Sequence, residues 1–307
     1  MTGVLCAQQA SITTTTGVDI NGHRVADGPQ ITRTKSATGS TTTETMQSVN
    51  GRMVPLERVE ERVVKEDASG RVVERLIRRY DSQGNLTQPV KETIEEQKRP
   101  DGTSTTQTTT YRGDVNGNMQ LTEKTVTQAR KSDSQESSET VVQRPSVNGS
   151  IETVEKRSTS KTKQPGGAYQ EETNVSRISP NGGFYTAVRQ TTEHSQQGTE
   201  STDNTAEYEV GPTGQLQLHG QSVSKTVARP DGSKDVVVDI FGQNVPGITD
   251  AAGRLKLQEQ QIVQRTAGPS GAFTETLSVR RPTISDPNKL GPERQISQTT
   301  CKGDCKP

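Results

Sequence analysis

A chain of 307 residues with 26% hydrophobic residues, no Trp, three Phe and five Tyr cannot fill the cores of ordinary globular domains. Ordering each residue costs about 1–2 kcal/mol of backbone entropy, which buried apolar surface must offset. Its 37 basic and 37 acidic residues cancel, so there is no broad basic face for nucleic acid and no charge excess of the kind that accompanies disorder.

Thr is the commonest residue and Val outnumbers Leu. Both Thr and Val are β-branched and fit a pleated, half-solvated surface. The composition therefore predicts an all-β fold that is thin enough to need little core.

The chain opens with Met1-Thr2-Gly3-Val4-Leu5-Cys6-Ala7. A short apolar pair before small residues reads as the end of a secretory signal, with residues 1–7 as its remnant. Export to the extracellular space, the cell surface or the periplasm is expected. The first strand is Ile12–Val18, a Thr-rich segment without charge or Pro.

From there a period governs the sequence. One set of turn glycines falls at Gly22, Gly51, Gly84, Gly117, Gly149, Gly182, Gly214 and Gly253, mostly 32 or 33 residues apart. A second set interleaves: Gly39, Gly70, Gly102, the Asp133-Ser134 turn, Gly166, Gly198, Gly232 and Gly271. Such a period marks a repeat architecture. The units are 8–48, 49–79, 80–110, 111–143, 144–177, 178–210, 211–243 and 244–281. Asn50-Gly51, Asn116-Gly117, Asn148-Gly149 and Asn181-Gly182 suit two adjacent residues with positive φ, as tight hairpin turns require. Arg99-Pro100-Asp101-Gly102 and Arg229-Pro230-Asp231-Gly232 use Pro to set φ before Gly takes the left-handed position.

Between turns run unbroken strands. Met119 and Leu121, Leu216 and Leu218, and Leu255 and Leu257 keep a period of two just after first-set turns. These give one face a narrow apolar band near those turns, and the rest is a polar lattice. Glu57, Glu123, Glu155 and Glu259 recur at one position of the unit. Cross-strand ion pairs with Lys and Arg are one reading of that row, and a periodic ligand-binding row is the other. The Glu- and Arg-rich stretches Val59–Val73 and Thr93–Lys98 are read as hairpin strands rather than helices. The predicted fold is one elongated, twisted antiparallel meander of roughly sixteen strands, open or curled, followed by a Pro- and Gly-rich tail over 282–307.

Arg79-Tyr80-Asp81-Ser82-Gln83-Gly84-Asn85-Leu86-Thr87 resembles the YD repeat of Rhs-type bacterial surface proteins, whose core is Tyr-Asp-x-x-Gly-x-Leu. In that family the hairpins form a shell around a toxin. Elsewhere the Tyr-Asp pair is replaced, as in Arg144-Pro145-Ser146-Val147-Asn148-Gly149, and the unit is longer than the family's. The resemblance implies an exported hairpin array. More loosely, the chain is similar to Thr-rich secreted bacterial repeat proteins.

Reactive groups are sparse. His23, His194 and His219 lie in different units without partners at ligand spacing and are read as solvated strand residues. Asp114-Val115-Asn116-Gly117-Asn118 suggests a calcium loop, but Met119 stands where that loop needs Gly. Cys301 and Cys305 enclose three residues including Gly303, which suits a terminal disulfide staple, with an inter-chain cross-link as the alternative. No catalytic, cofactor-binding or metal-binding residues are assigned, and no cofactor is expected. Tyr80, Tyr111, Tyr169 and Tyr208 are placed near first-set turns, too scattered for a sugar-binding platform.

The functional expectation is an exported, non-enzymatic structural or surface protein: a spacer, a matrix component or a filament. The alternative is a binding module or adhesin for a polysaccharide or protein partner, which the sequence does not name. Nucleic acid is not expected as a partner. Membrane insertion is not expected either, since segments such as Thr103–Thr110 lack an apolar face. The uncharged Ile12–Val18 edge is expected to pair, either with a second copy or with the rest of its own sheet.

Overall fold

The structure, a computed structural model, describes residues 7–18, 24–26, 29–49, 52–81, 83–114, 116–179, 181–243, 255–283 and 289–303. The chain begins with β1 (Ala7–Val18), β2 (Arg24–Ala26), β3 (Gln30–Ala37), β4 (Ser40–Val49), β5 (Arg52–Asp67) and β6 (Gly70–Arg79). It continues through β7 (Val90–Lys98), β8 (Thr103–Gly113), β9 (Met119–Lys131), β10 (Gln135–Pro145), β11 (Ile151–Lys163), β12 (Tyr169–Ile178) and β13 (Phe184–Gln197). The last strands are β14 (Glu200–Val210), β15 (Leu216–Ala228), β16 (Lys234–Gly242), β17 (Lys256–Ala267), β18 (Phe273–Arg280) and β19 (Arg294–Gly303). Both stretches weighed as helices are strand, within β5, β6 and β7.

Every pairing is antiparallel and, from β3 onward, joins neighbours in sequence. The ends then meet. β1 pairs with β3 on one side and with β19 on the other, while the short β2 adds only to the end of β1. The result is a closed barrel of 18 strands. At ~4.8 Å between strands and a tilt of ~40°, such a ring has a radius of roughly 18 Å. That is wide enough to leave a water-filled lumen after side chains are counted.

Closure corrects three expectations. The sheet is neither open nor merely curled, because the seam Ile12↔Lys302, Thr13↔Cys301, Thr16↔Gln298 pairs the strand that looked like a free edge. Strand addition to a second copy through Ile12–Val18 loses its basis, since that edge is taken within the chain. The exclusion of membrane insertion is overturned as well. It rested on strands such as Thr103–Thr110 that lack an apolar face, whereas the closed antiparallel barrel leaves no backbone edge unpaired and is the β architecture in which strands cross an outer membrane. The strand that makes closure possible, β19, comes from the segment read as a tail.

Five of the first-set glycines are seen in turns. Gly84, Gly117, Gly149, Gly182 and Gly214 have φ between +78° and +84°, while Gly22, Gly51 and Gly253 lie outside the described residues. The turn type differs from the expectation. Among described residues Ser270 is the one non-Gly residue with positive φ, so Asn116 and Asn148 do not share the left-handed region with the glycine that follows. Instead Gly117 N–H donates to the Asp114 carbonyl and Asp114 N–H to that of Asn118, a turn closed by a single left-handed glycine. The Asp114 carboxylate accepts the N–H groups of Asn116 and Asn118 at 2.8 and 2.9 Å. It is a turn clamp, and these hydrogen bonds, that of Asn118 foremost, hold its pKa below the ordinary value.

Six first-set hairpins carry a β-bulge on the arm after the turn, at Leu56, Thr122, Val154, Ala187, His219 and Gln258, and the β18–β19 hairpin carries one at Ile296. A bulge bends its strand and increases twist, and its recurrence in nearly every first-set hairpin curves the sheet evenly enough to close.

Candidate functional site

Cross-strand partners share a face, so the register sorts side chains into two sets that stay separate all the way round. Thr32, Thr34, Glu136, Ser138, Thr159 and Lys161 belong to one set and are half-buried. Their chain neighbours Arg33, Lys35, Ser137, Glu139, Ser158 and Ser160 belong to the other and are exposed. Side chains crowd on the concave side of a cylinder and spread on the convex side. The first set therefore lines the lumen. The most buried apolar strand residues in it, Val73, Val279 and Cys301, are isolated points rather than a core.

The lumen wall is polar. Hydroxyls bridge strands at Thr15–Thr299 (3.3 Å), Thr34–Thr43 (3.3 Å), Thr127–Thr140 (2.9 Å), Thr159–Thr173 (3.0 Å) and Thr192–Thr205 (3.1 Å). The recurrent glutamates come next. Glu57, Glu123, Glu155 and Glu259 each follow a bulge directly, so the same irregularity sets all four facing inward. Each meets an arginine on the next strand: Arg79 at 2.8 Å, Arg144 at 2.9 Å, Arg177 at 3.6 Å and Arg281 at 2.7 Å. The row is a set of cross-strand ion pairs. Hydrogen bonding from Gln261 and then Arg281 keeps Glu259 below the ordinary carboxylate range.

A second charged group lies toward the opposite rim. Glu136 bridges Lys163 at 2.8 Å and Lys131 at 3.2 Å. These two hydrogen bonds, Lys163 first, lower its pKa. Arg75 joins Glu61 and Glu92 in the same manner at 3.1 and 3.2 Å.

One lumen cluster was not anticipated. Tyr169 and His194 face each other on β12 and β13 with rings stacked 4.5 Å apart. His194 Nδ1 lies 2.7 Å from Asp203 Oδ1 on β14, and Lys161 Nζ sits 3.4 Å from the centre of the Tyr169 ring. Burial, then Asp203 and Glu171, raises the Tyr169 pKa. His194 is thus a packed residue, not a solvated one, and Tyr169 sits by a second-set turn rather than a first-set one. His219 does stay on the surface, 3.7 Å from Glu209, and His23 lies outside the described residues. Both faces of the tyrosine ring are covered by the chain's own side chains, so the cluster braces four strands, β11 to β14. Among the described residues no group of three or more His, Cys, Asp and Glu is arranged to hold a metal. Cys301 is buried and disulfide-bonded; Cys305 lies outside the described residues.

The outer face has its own order. Near the first-set rim, directly opposed apolar pairs point outward: Met46 with Pro55, Tyr111 with Leu121, Pro145 with Ile151, Ile178 with Phe184, Tyr208 with Leu218, and Phe241 with Leu257. Tyr80 with Leu86 and Pro282 with Leu290 supply the same pair in two further hairpins. Ile151, Ile178, Phe184 and Leu86 are exposed. Together they form a collar around one rim, and among the described residues the second-set rim has no counterpart.

No family model matches the chain and no curated protein matches it. Among solved structures, a porin-like protein from Bacteroides uniformis ATCC 8492 aligns over 96% of this chain and 97% of its own length, at 9% identity and a TM-score of 0.19. That score is too low for the other protein's name to bear on this one.

Proposed function

We propose that the chain is an exported, non-enzymatic surface protein whose working part is the closed polar wall, a rigid cylinder of fixed bore that acts as a structural vestibule or spacer. The supporting observation is the lumen lining. Its hydroxyls and charges are paired across strands, as in the Glu–Arg row and the threonine bridges, and among the described residues they do not converge on a dry pocket of the kind chemistry needs. A closed antiparallel barrel fits an outer-membrane or cell-surface location, and the resemblance of residues 79–87 to exported hairpin arrays agrees with it.

The test is lumen accessibility in intact protein. In a Cys6→Ala background, a single cysteine is placed at Thr140, which faces inward, or at Ser137, which faces outward. Both are labelled with maleimides of graded size. The expected result is labelling of the Ser137→Cys variant at every size and of Thr140→Cys only by reagents narrower than the lumen. Equal labelling of both by the largest reagent would show that no enclosed lumen exists.

A further inference from the structure

We propose that the collar seats the first-set rim of the barrel in a lipid surface rich in anionic headgroups. The collar alone says only that apolar side chains are exposed. What specifies lipid is the rung beyond it. Moving away from that rim on the outer face, bases gather on one arc of the wall: Arg33 on β3, Arg58 on β5, Arg78 on β6, Lys91 on β7 and Lys124 on β9 come next after the collar, with Glu44 on β4 among them, while Lys156 on β11 and Arg189 on β13 stand one rung further, past Thr153 and Thr186. Acidic residues follow: Glu60 binds Arg58 and Arg78 at 2.8 and 2.9 Å, Glu74 binds Lys91 at 3.0 Å, and Glu172 lies 3.8 Å from Arg189. On that arc the order runs from apolar to mostly basic, with acid beyond it at Glu60, Glu74 and Glu172.

This is the layering of a surface that enters the acyl boundary and meets phosphates just above it. Lys156 illustrates the join, its ammonium 4.5 Å from the centre of the Phe184 ring in the collar. Geometry separates lipid from a second copy. The collar points radially all round the cylinder, so a barrel stacked end to end would leave it in water, and a barrel alongside would cover one or two hairpins. A bilayer surface meets every hairpin at once. The inward Glu57, Glu123, Glu155 and Glu259 pairs stay in the aqueous lumen at that depth. None of this depends on what the lumen holds or passes.

The experiment is vesicle flotation of the full chain, using phosphatidylcholine alone or with a third phosphatidylglycerol. The wild type is expected to float with the anionic vesicles, at least ten-fold more than with neutral ones. Two variants are compared. One replaces Tyr111, Leu121, Phe241 and Leu257 by Ser; the other is Lys124→Glu with Lys156→Glu, which keeps every apolar residue of the collar. Each is expected to lose at least ten-fold in anionic-vesicle binding while keeping the β circular-dichroism spectrum of the wild type. Should the serine variant misfold, the charge-reversal variant decides alone. A wild type that floats with neither vesicle overturns the proposal, as does a folded charge-reversal variant that floats like wild type. A vesicle-independent dimer that the serine variant abolishes would also overturn it, assigning the collar to contact between copies.

Discussion

Thr13 and Cys301 stand directly opposite each other although 288 residues separate them, with Thr13 Oγ1 3.5 Å from the Cys301 sulfur. Their contact marks the seam at which the barrel closes. Removing residues 294–307 deletes β19 and leaves β1 and β18 with unpaired N–H and C=O groups, which seek other chains. The truncated protein should form higher-mass species in analytical ultracentrifugation where the full chain is uniform. A truncated protein that sediments as a folded monomer would mean that closure contributes nothing to solution behaviour.

The glycines separate two physical causes. At Gly117 and Gly149 a Cβ would meet nothing within 4 Å, but φ is +82° and +79°. Gly117→Val should therefore cost about 1–2 kcal/mol from backbone strain alone, and Gly117→Asn much less, since Asn tolerates that region. Gly70 has no positive φ, yet a Cβ there runs into the Glu96 carbonyl oxygen. Gly70→Asn should be no milder than Gly70→Ala. Urea unfolding of the four variants measures both contrasts.

Acid should loosen the second-set rim. Glu136 has a folded pKa below its unfolded value of ~4.3 because Lys163 and Lys131 hold its charged form. Its contribution is present in full above the unfolded value and is lost as pH falls through the folded one. Replacing Glu136 by Gln should flatten the fall of Tm below about pH 4.5 and leave its slope near neutrality unchanged. Thermal melts across the acid range report this directly.

The inward ion pairs should be individually weak. Arg281 is 71% exposed although Glu259 is 19% exposed, so water screens one partner. A double-mutant cycle with Glu259→Gln and Arg281→Gln should give a coupling of ~0.2–1 kcal/mol that shrinks at high salt. A coupling that survives undiminished in 1 M salt, where the Debye length is about 3 Å instead of about 10 Å at 0.1 M, would indicate a buried pair instead.

Much of the architecture was legible because it repeats. The glycine spacing located the turns, and the alternation of Met119 with Leu121 and Leu216 with Leu218 already showed the collar as a narrow apolar band. The glutamate row could be seen as well, with its ion-pair reading. What the sequence hid were relations across strands. Tyr169 and His194 are 25 residues apart in the chain, and a stack between them needs the register of β12 on β13, shifted by the bulge at Ala187. The bulges are silent in composition, since Leu, Thr, Val, Ala, His, Gln and Ile all occupy them. Closure was hidden for a similar reason. The prolines and charges before β19 resemble a protected end, and nothing local in Gln298-Thr299-Thr300-Cys301 says that its partner is Thr13 to Thr16.

The seam joins the start of the first unit to β19, which lies beyond the last, so no internal unit takes part in it, and this has a consequence for how such a chain can change. Each internal unit contributes two strands side by side, so duplicating one lengthens the circumference and leaves the height of the wall untouched. At ~4.8 Å per strand and ~40° of tilt, one added unit widens the radius by about 2 Å. β1 and β19 would still meet through the same residues, because neither belongs to the duplicated segment. Unequal recombination between units could therefore produce a graded series of bores, each closed by an unaltered clasp.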